Sequence, residues 1–277
     1  MGIPRKRPWD PRLPAAPLEK RVGRFTLFCY APLIDPASFL EALGNAPVIE
    51  GKGRGGIKIV EAGGMKLVAR KYVHGGLFRS LTRDVFVGKG RAVSEAEIMA
   101  FLRGKGVPVV QPFCAVVERR PVFKRMHLVT ILQEDTVSLL EYLRGSTEKQ
   151  RMRVARKLAQ LLWLLQQAGV FHPDLHLGNV LVTPDKALVF LDFDRARRKT
   201  VKGGDMKAMF SRLGRFVNKM ERKGSLSIGN REKAFFLRAY ARFSGTDLTQ
   251  EMEAWQRRST IFHRMGWLVE SLLFGRG

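Results

Sequence analysis

Apolar and polar positions follow two different periods along this chain. Up to about residue 132 they alternate in short runs. From residue 148 they recur at three- and four-residue intervals. Residues 24–30 (RFTLFCY) read as a strand. Asp35 then caps a short helix through Ala42, with Pro36 at its first position and Gly44 at its end. Residues 57–73 (IKIVEAGGMKLVARKYV) alternate about a Gly63-Gly64 turn and predict a hairpin. A helix is predicted over 94–105, capped by Ser94 and stopped by Gly106. Glu95, Ile98, Met99 and Leu102 share one of its faces. A rigid connector at 107–112 leads to strands at 113–118 and 127–132.

At Gln133-Glu134-Asp135 the pattern turns helical. Helices are predicted over 138–143, 148–169, 207–223, 231–243 and 251–274. Val154, Leu158, Leu161, Leu162 and Leu165 form the buried stripe of the long second one. Trp255, Phe262, Trp267 and Leu272 are candidate core residues of the last. The division this predicts is a basic, Pro-rich arm at 1–24, a β-rich lobe at 25–133 and a mainly helical lobe at 134–277. The fold class is α+β and bilobal.

The candidate chemistry lies between the helices, at residues 171–198 (FHPDLHLGNVLVTPDKALVFLDFDRARR). His172, Asp174 and Asn179 match the spacing H-x-D-L-x-x-x-N. After a short apolar hairpin comes Leu191-Asp192-Phe193-Asp194. In kinase-type phosphotransferases the first Asp meets the acceptor hydroxyl, and the Asn and second Asp hold magnesium against the ATP phosphates. That assigns Asp174 as catalytic base and Asn179 and Asp192 as metal ligands, with ATP and Mg2+ as the small molecules bound. His172 reads as a support for the second cluster. Glycines at 51, 53 and 56 match G-x-G-x-x-G, with Gly55 between. The chain continues from them into a strand, which favours a kinase phosphate loop over a dinucleotide loop. Lys71, at the end of Val68-Ala69-Arg70-Lys71, is the candidate for the α- and β-phosphates, and a one-residue bulge would exchange it with Arg70. Glu95 is its expected ion-pair partner, since Glu97 turns away from the apolar stripe.

Charge narrows the partners. The 277-residue chain carries a formal net charge of +24, which suits an anionic surface or substrate. A nucleic-acid binder is disfavoured, because no aromatic-studded basic motif or zinc pattern accompanies the charge. Cys29 and Cys114 read as buried free thiols. No secretory leader and no membrane-spanning run are predicted.

HPDLHLGNVLV and VFLDFDRAR resemble the lipopolysaccharide-modifying kinases with a protein-kinase-like fold, closest to the 3-deoxy-D-manno-octulosonic acid (Kdo) kinases. LVARKYVHGGLFRSLTRD at 67–84, SEAEIMAFLRGKGVPVVQP from Ser94 and RLGRFVNK at 212–219 extend the resemblance over roughly residues 50–220. It implies ATP-dependent phosphorylation of a Kdo hydroxyl on lipid A, an anionic glycolipid, at the cytoplasmic face of an inner membrane. Pro173 and Asp194 depart from the H-R-D and D-F-G patterns and put a protein-kinase-like activation segment in doubt. A core-heptose or other small-molecule kinase and a non-catalytic, membrane-associated kinase-fold scaffold are the alternatives.

Overall fold

The computed structural model describes residues 16–33, 35–50, 56–72, 90–121 and 124–246. The elements run β1 (Leu18–Val22), β2 (Phe25–Cys29), α1 (Pro36–Asn45), β3 (Val48–Ile49), β4 (Ile57–Ala62), β5 (Met65–Lys71), α2 (Arg91–Gly104), β6 (Pro112–Arg119) and β7 (Lys124–Ile131). The strands join into one seven-stranded sheet in the order β1-β2-β6-β7-β5-β4-β3, and every pairing is antiparallel. The N-terminal arm expected at 1–24 ends sooner than its charge suggested. Residues 18–22 are β1, bonded along their length to β2. Residues 1–15, the basic loop at 74–84 and the helix predicted at 251–274 lie outside the described residues.

Each face of the sheet carries its own helix. Leu27, Cys29, Leu67, Ala69 and Val129 point to the side covered by Phe39 and Leu43 of α1. Ala115, Val117, Met126 and Leu128 point to the side where α2 lays Ala92, Ala96 and Met99. Cys29 and Cys114 sit opposite each other across β2 and β6, and both are buried free thiols, as their apolar settings predicted. Helix α2 starts at Arg91, a turn ahead of the predicted Ser94 cap, and Ser94 lies within it rather than at its end. The apolar contacts begin at Ala92, so burial extends the helix past the side-chain cap that sequence alone favoured. Gly90 caps it instead, and a Cβ there would lie 2.3 Å from Met126 Sδ.

The remaining elements are β8 (Val137–Ser138), α3 (Leu139–Arg144), α4 (Glu148–Gln167), β9 (Val170–Phe171), β10 (Val180–Val182), β11 (Leu188–Phe190), β12 (Arg197–Arg198), α5 (Gly203–Arg222) and α6 (Asn230–Ser244). Ser138 caps α3 through the Glu141 N–H. Thr147 and Gln150 cap each other at the start of α4. The predicted stripe from Val154 to Leu165 is buried. Gly169 ends the helix with φ +67°, and a Cβ there would sit 3.2 Å from the Lys199 carbonyl oxygen. That close approach lets β9 pair with β12.

The α2 face of the sheet shares its core with the later helices. A single apolar cluster runs from the α2 face through Val107, Val109 and Val110 to Leu162, Phe190 and Tyr240. The connector is also hydrogen-bonded to β11. Phe190 N–H donates to Pro108 O at 3.0 Å, and Val110 N–H donates to Phe190 O at 2.9 Å. We predict that Leu162→Ala, which empties the fully buried centre of α4, lowers unfolding free energy by about 3 kcal/mol. Urea denaturation measures this, and a loss under ~1 kcal/mol would show that α4 does not anchor the shared core.

Candidate active site

Strand alternation decides which basic side chain meets α2. β5 pairs without a break to β4 and β7. Ala69 and Lys71 therefore share a face, as the spacing predicts, but α2 packs on the other one. Arg70 and Tyr72 point there. The ion pair with Glu95 is accordingly made by Arg70, whose Nη2 lies 2.8 and 2.6 Å from the two Glu95 oxygens. This corrects the expectation that Lys71 takes Glu95 as its partner. Lys71 stands opposite His127 in the ladder. Burial, and after it the Lys71 charge, hold the His127 imidazole down at about 4.

Arg70 has a second partner. Its Nη1 donates to Asp192 Oδ2 at 2.6 Å, so one guanidinium joins a helix carboxylate to the Asp-Phe-Asp segment. Glu95 is buried, while Glu97 is exposed, as the apolar stripe predicted. The Glu95 carboxylate also accepts from the Tyr72 hydroxyl and, at 3.0 Å, from the Phe193 N–H. Burial pushes Glu95 up to about 7 against the pull of Arg70, and the Asp192 charge adds to the rise. For Arg70 burial disfavours the charge, but Glu95 and Asp192 outweigh it and its pKa is raised. For Asp192 burial acts upward and is outweighed by Arg70 and by the Asp194 N–H, 3.0 Å from Oδ1. Its carboxyl stays below the ordinary value.

Arg91 extends the network. In the first turn of α2, its Nε lies 2.9 Å from Asp194 Oδ1, and its Nη2 bonds the other oxygen. The Arg70 and Arg91 guanidiniums lie 5.2 and 5.5 Å from the Tyr72 ring centroid. Sequence reasoning missed Arg91 because the predicted helix began after it. It missed Tyr72 because nothing local marks a hydroxyl that will face a distant carboxylate.

The loop after β9 carries the other cluster. The His172 ring is buried against Phe190 and Phe193, with centroids 6.2 and 5.2 Å away, and burial lowers its pKa to about 4. The expected supporting role is therefore visible as ring packing. Asn179 Nδ2 donates to the Asp174 carbonyl at 3.3 Å, and Leu191 N–H donates to the Asn179 carbonyl at 2.9 Å. Those two bonds bring Asp174, Asn179 and Asp192 into one neighbourhood. Helix α5 packs beside this loop. Arg212 sets Nε and Nη2 at 2.9 and 2.7 Å from Asp174 Oδ1. One turn later, Phe216 stacks on His176 with centroids 4.7 Å apart. His176 Nδ1 accepts the Gly178 N–H.

Of the glycine loop, Gly56 is described, at φ +67°. A Cβ there would fall 2.4 Å from Val48 Cγ1, so the hairpin entry requires glycine. Gly51, Gly53 and Gly55 lie outside the described residues. Among the described residues no group of three or more His, Cys, Asp or Glu converges as a metal cage. Asn179 and Asp192 offer hard oxygens, which suits a cation completed by phosphate and water rather than a protein cage.

The sequence model of the lipopolysaccharide kinase (Kdo/WaaP) family matches residues 39–240. The chain belongs to the lipopolysaccharide kinase (Kdo/WaaP) family. Relatives named 3-deoxy-D-manno-octulosonic acid kinase include one from Xylella fastidiosa (strain M12), 29% identical over 70% of this chain and 78% of the relative. One from Xanthomonas oryzae pv. oryzae (strain PXO99A) is 30% identical over 60% of this chain and 66% of its own length. One from Vibrio vulnificus (strain CMCP6) is 26% identical over 66% and 78%. Membership of the Kdo/WaaP family makes the chain a phosphotransferase with a sugar hydroxyl as acceptor. The matched span contains Arg70, Glu95, Asp174, Asn179, Asp192 and Arg212.

The raised Glu95 pKa gives a pH prediction. Between the ordinary carboxyl value near ~4.3 and about 7, the native state holds a proton that the unfolded chain has released. Stability therefore falls as pH rises through this window. Glu95→Gln removes that slope. Urea unfolding of both proteins at about pH 5 and about pH 8 should show wild type losing stability relative to the variant, and parallel curves would rule the raised pKa out.

Proposed function

We propose that the protein is an ATP-dependent kinase that phosphorylates a hydroxyl of a Kdo sugar on a lipid A precursor. The observation that carries this reading is the joining of two distant carboxylates, Glu95 and Asp192, by Arg70. It stands beside an Asp174–Asn179 loop in a chain of this family. In this reading the fold is bilobal and protein-kinase-like. Residues 25–133 form the lobe that covers the nucleotide, and residues 134–277 form the lobe that holds the acceptor. The formal charge of +24 supports work at an anionic surface, the cytoplasmic face of an inner membrane. Among the described residues, no helix is long and apolar enough to cross a membrane.

Each residue of the site has its own task. Asp192 and Asn179 are the residues that would hold Mg2+, through their carboxylate and amide oxygens. Mg2+ and ATP, when bound, supply the transferable phosphoryl group and the positive charge that offsets its oxygens. Arg70 keeps Nη2 on Glu95 and turns Nη1 from Asp192 to the α- and β-phosphates. Gly51, Gly53, Gly55 and Gly56 line the phosphates with backbone. Asp174 accepts a hydrogen bond from the acceptor hydroxyl and takes its proton. The hydroxyl oxygen forms the new bond to the γ-phosphorus, the β–γ bridging bond breaks, and ADP leaves with that electron pair. Little covalent work falls to the protein, so rate depends on how well these groups are held.

The direct test incubates the protein with labelled ATP and Kdo-lipid A, beside acceptors already extended with heptose. Label in the Kdo acceptor supports the reading, and label only in heptosylated acceptors would move the site to heptose. Asp174→Asn should cut kcat by about 10³-fold while ATP affinity is retained; near-normal turnover removes Asp174 as the base. Arg70→Met should weaken Mg-ATP binding by at least ~10-fold, more than Lys71→Met does. Calorimetric titration of the two folded variants decides, and a larger loss at Lys71 would return the phosphate role to it.

A further inference from the structure

The contact between Arg212 and Asp174 is unusual company for a proposed base. The geometry leaves part of the carboxylate open. Both Arg212 nitrogens bond the same oxygen, Asp174 Oδ1, so Oδ2 is left for a hydroxyl. The guanidinium has further N–H donors beyond the two that Asp174 uses. Arg212 is part-buried, and Asp174 is more open, so the pair lies at the edge of the site. Phe216, one turn along α5, stacks on His176 and fixes the helix against the loop that carries Asp174.

The acceptor named for the relatives is an acid. A sugar acid that presents a hydroxyl to Asp174 brings its own carboxylate within a ring's width of that Asp. Two like charges so close repel each other unless a cation stands between them. An arginine fork binds one carboxylate and still offers edge donors to another.

We propose that Arg212 is the specificity residue of this site: it binds the carboxylate of an acidic sugar acceptor and so admits that acceptor beside Asp174. This rests on the Kdo reading above and deepens it. Arg212 bridges two anions, the base through Oδ1 and the acceptor through its acid group. A neutral sugar leaves the guanidinium on Asp174 alone and gains nothing from it. The acid group takes no part in bond making; the hydroxyl oxygen attacks the γ-phosphorus of ATP, ADP leaves, and the hydroxyl proton passes to Asp174.

The test compares a Kdo-bearing lipid A acceptor with the same molecule carrying a C1 carboxamide. Wild type should favour the carboxylate by at least ~10-fold in kcat/KM. Arg212→Gln should bring that ratio near one, mainly through a higher KM for the acid, and Arg212→Lys should restore part of it. The ratio separates recognition from posture, because a variant that merely lets Asp174 swing loses both acceptors alike. Such an equal loss, or wild type showing no preference, overturns the role of Arg212 while leaving the Kdo reading intact. Absence of transfer from bound ATP to either acceptor by wild type overturns the Kdo reading, and this inference falls with it.

Discussion

The guanidinium of Arg70 is the point on which the site depends. It touches both the helix on the sheet and the loop beyond the hairpin, through Glu95 and Asp192. A buried carboxylate without that partner would be left as an uncompensated charge, at a cost of several kcal/mol. Burial already drives Glu95 toward its neutral form. The position of α2, the orientation of Asp192 and the ionisation of both carboxylates are therefore one problem with one solution. Tyr72 and the Phe193 N–H complete it by satisfying the remaining lone pairs on Glu95.

Arginine suits this position better than lysine would. Its planar fork sends one nitrogen to each carboxylate without strain, and its charge survives burial. A lysine offers a single point charge and would have to divide it. Arginine forks also meet single carboxylates at Arg91 with Asp194 and at Arg212 with Asp174. Three acidic residues of the central stretch are each met by an arginine from a different element. The net charge is thus partly used inside the site as well as on the surface.

Much of this was legible in the sequence. The period change near residue 133 marked where the seven-stranded sheet ends, and the stripe from Val154 to Leu165 named its own core. The nearness of Asp174, Asn179 and Asp192 was readable because their spacing is set by one loop and one hairpin. Glu95 was recognisable because a carboxylate on an apolar helix face needs a reason. The choice between Arg70 and Lys71 was not legible, since alternation tells which residues share a face but not which face meets α2. Arg212 was equally hidden, because its partner is 38 residues away and α5 reads locally as a basic amphipathic helix. The start of α2 was misjudged because burial of Ala92 against the sheet outweighed a good cap at Ser94.

The pairing of β12 with β9 has a consequence for how this chain can vary. Phe190 is bonded to the connector on one side of the Asp-Phe-Asp segment, and Arg197 to Phe171 on the other. Ala196 N–H closes back on Phe193 O between them. The loop is thus held at both ends, which leaves little slack to absorb an inserted residue. One extra residue before Arg197 would flip the β12 side chains and lift Arg198 from the Phe101 ring, 3.9 Å below it. By contrast, α5 meets the loop that carries Asp174 through side chains alone, those of Arg212 and Phe216.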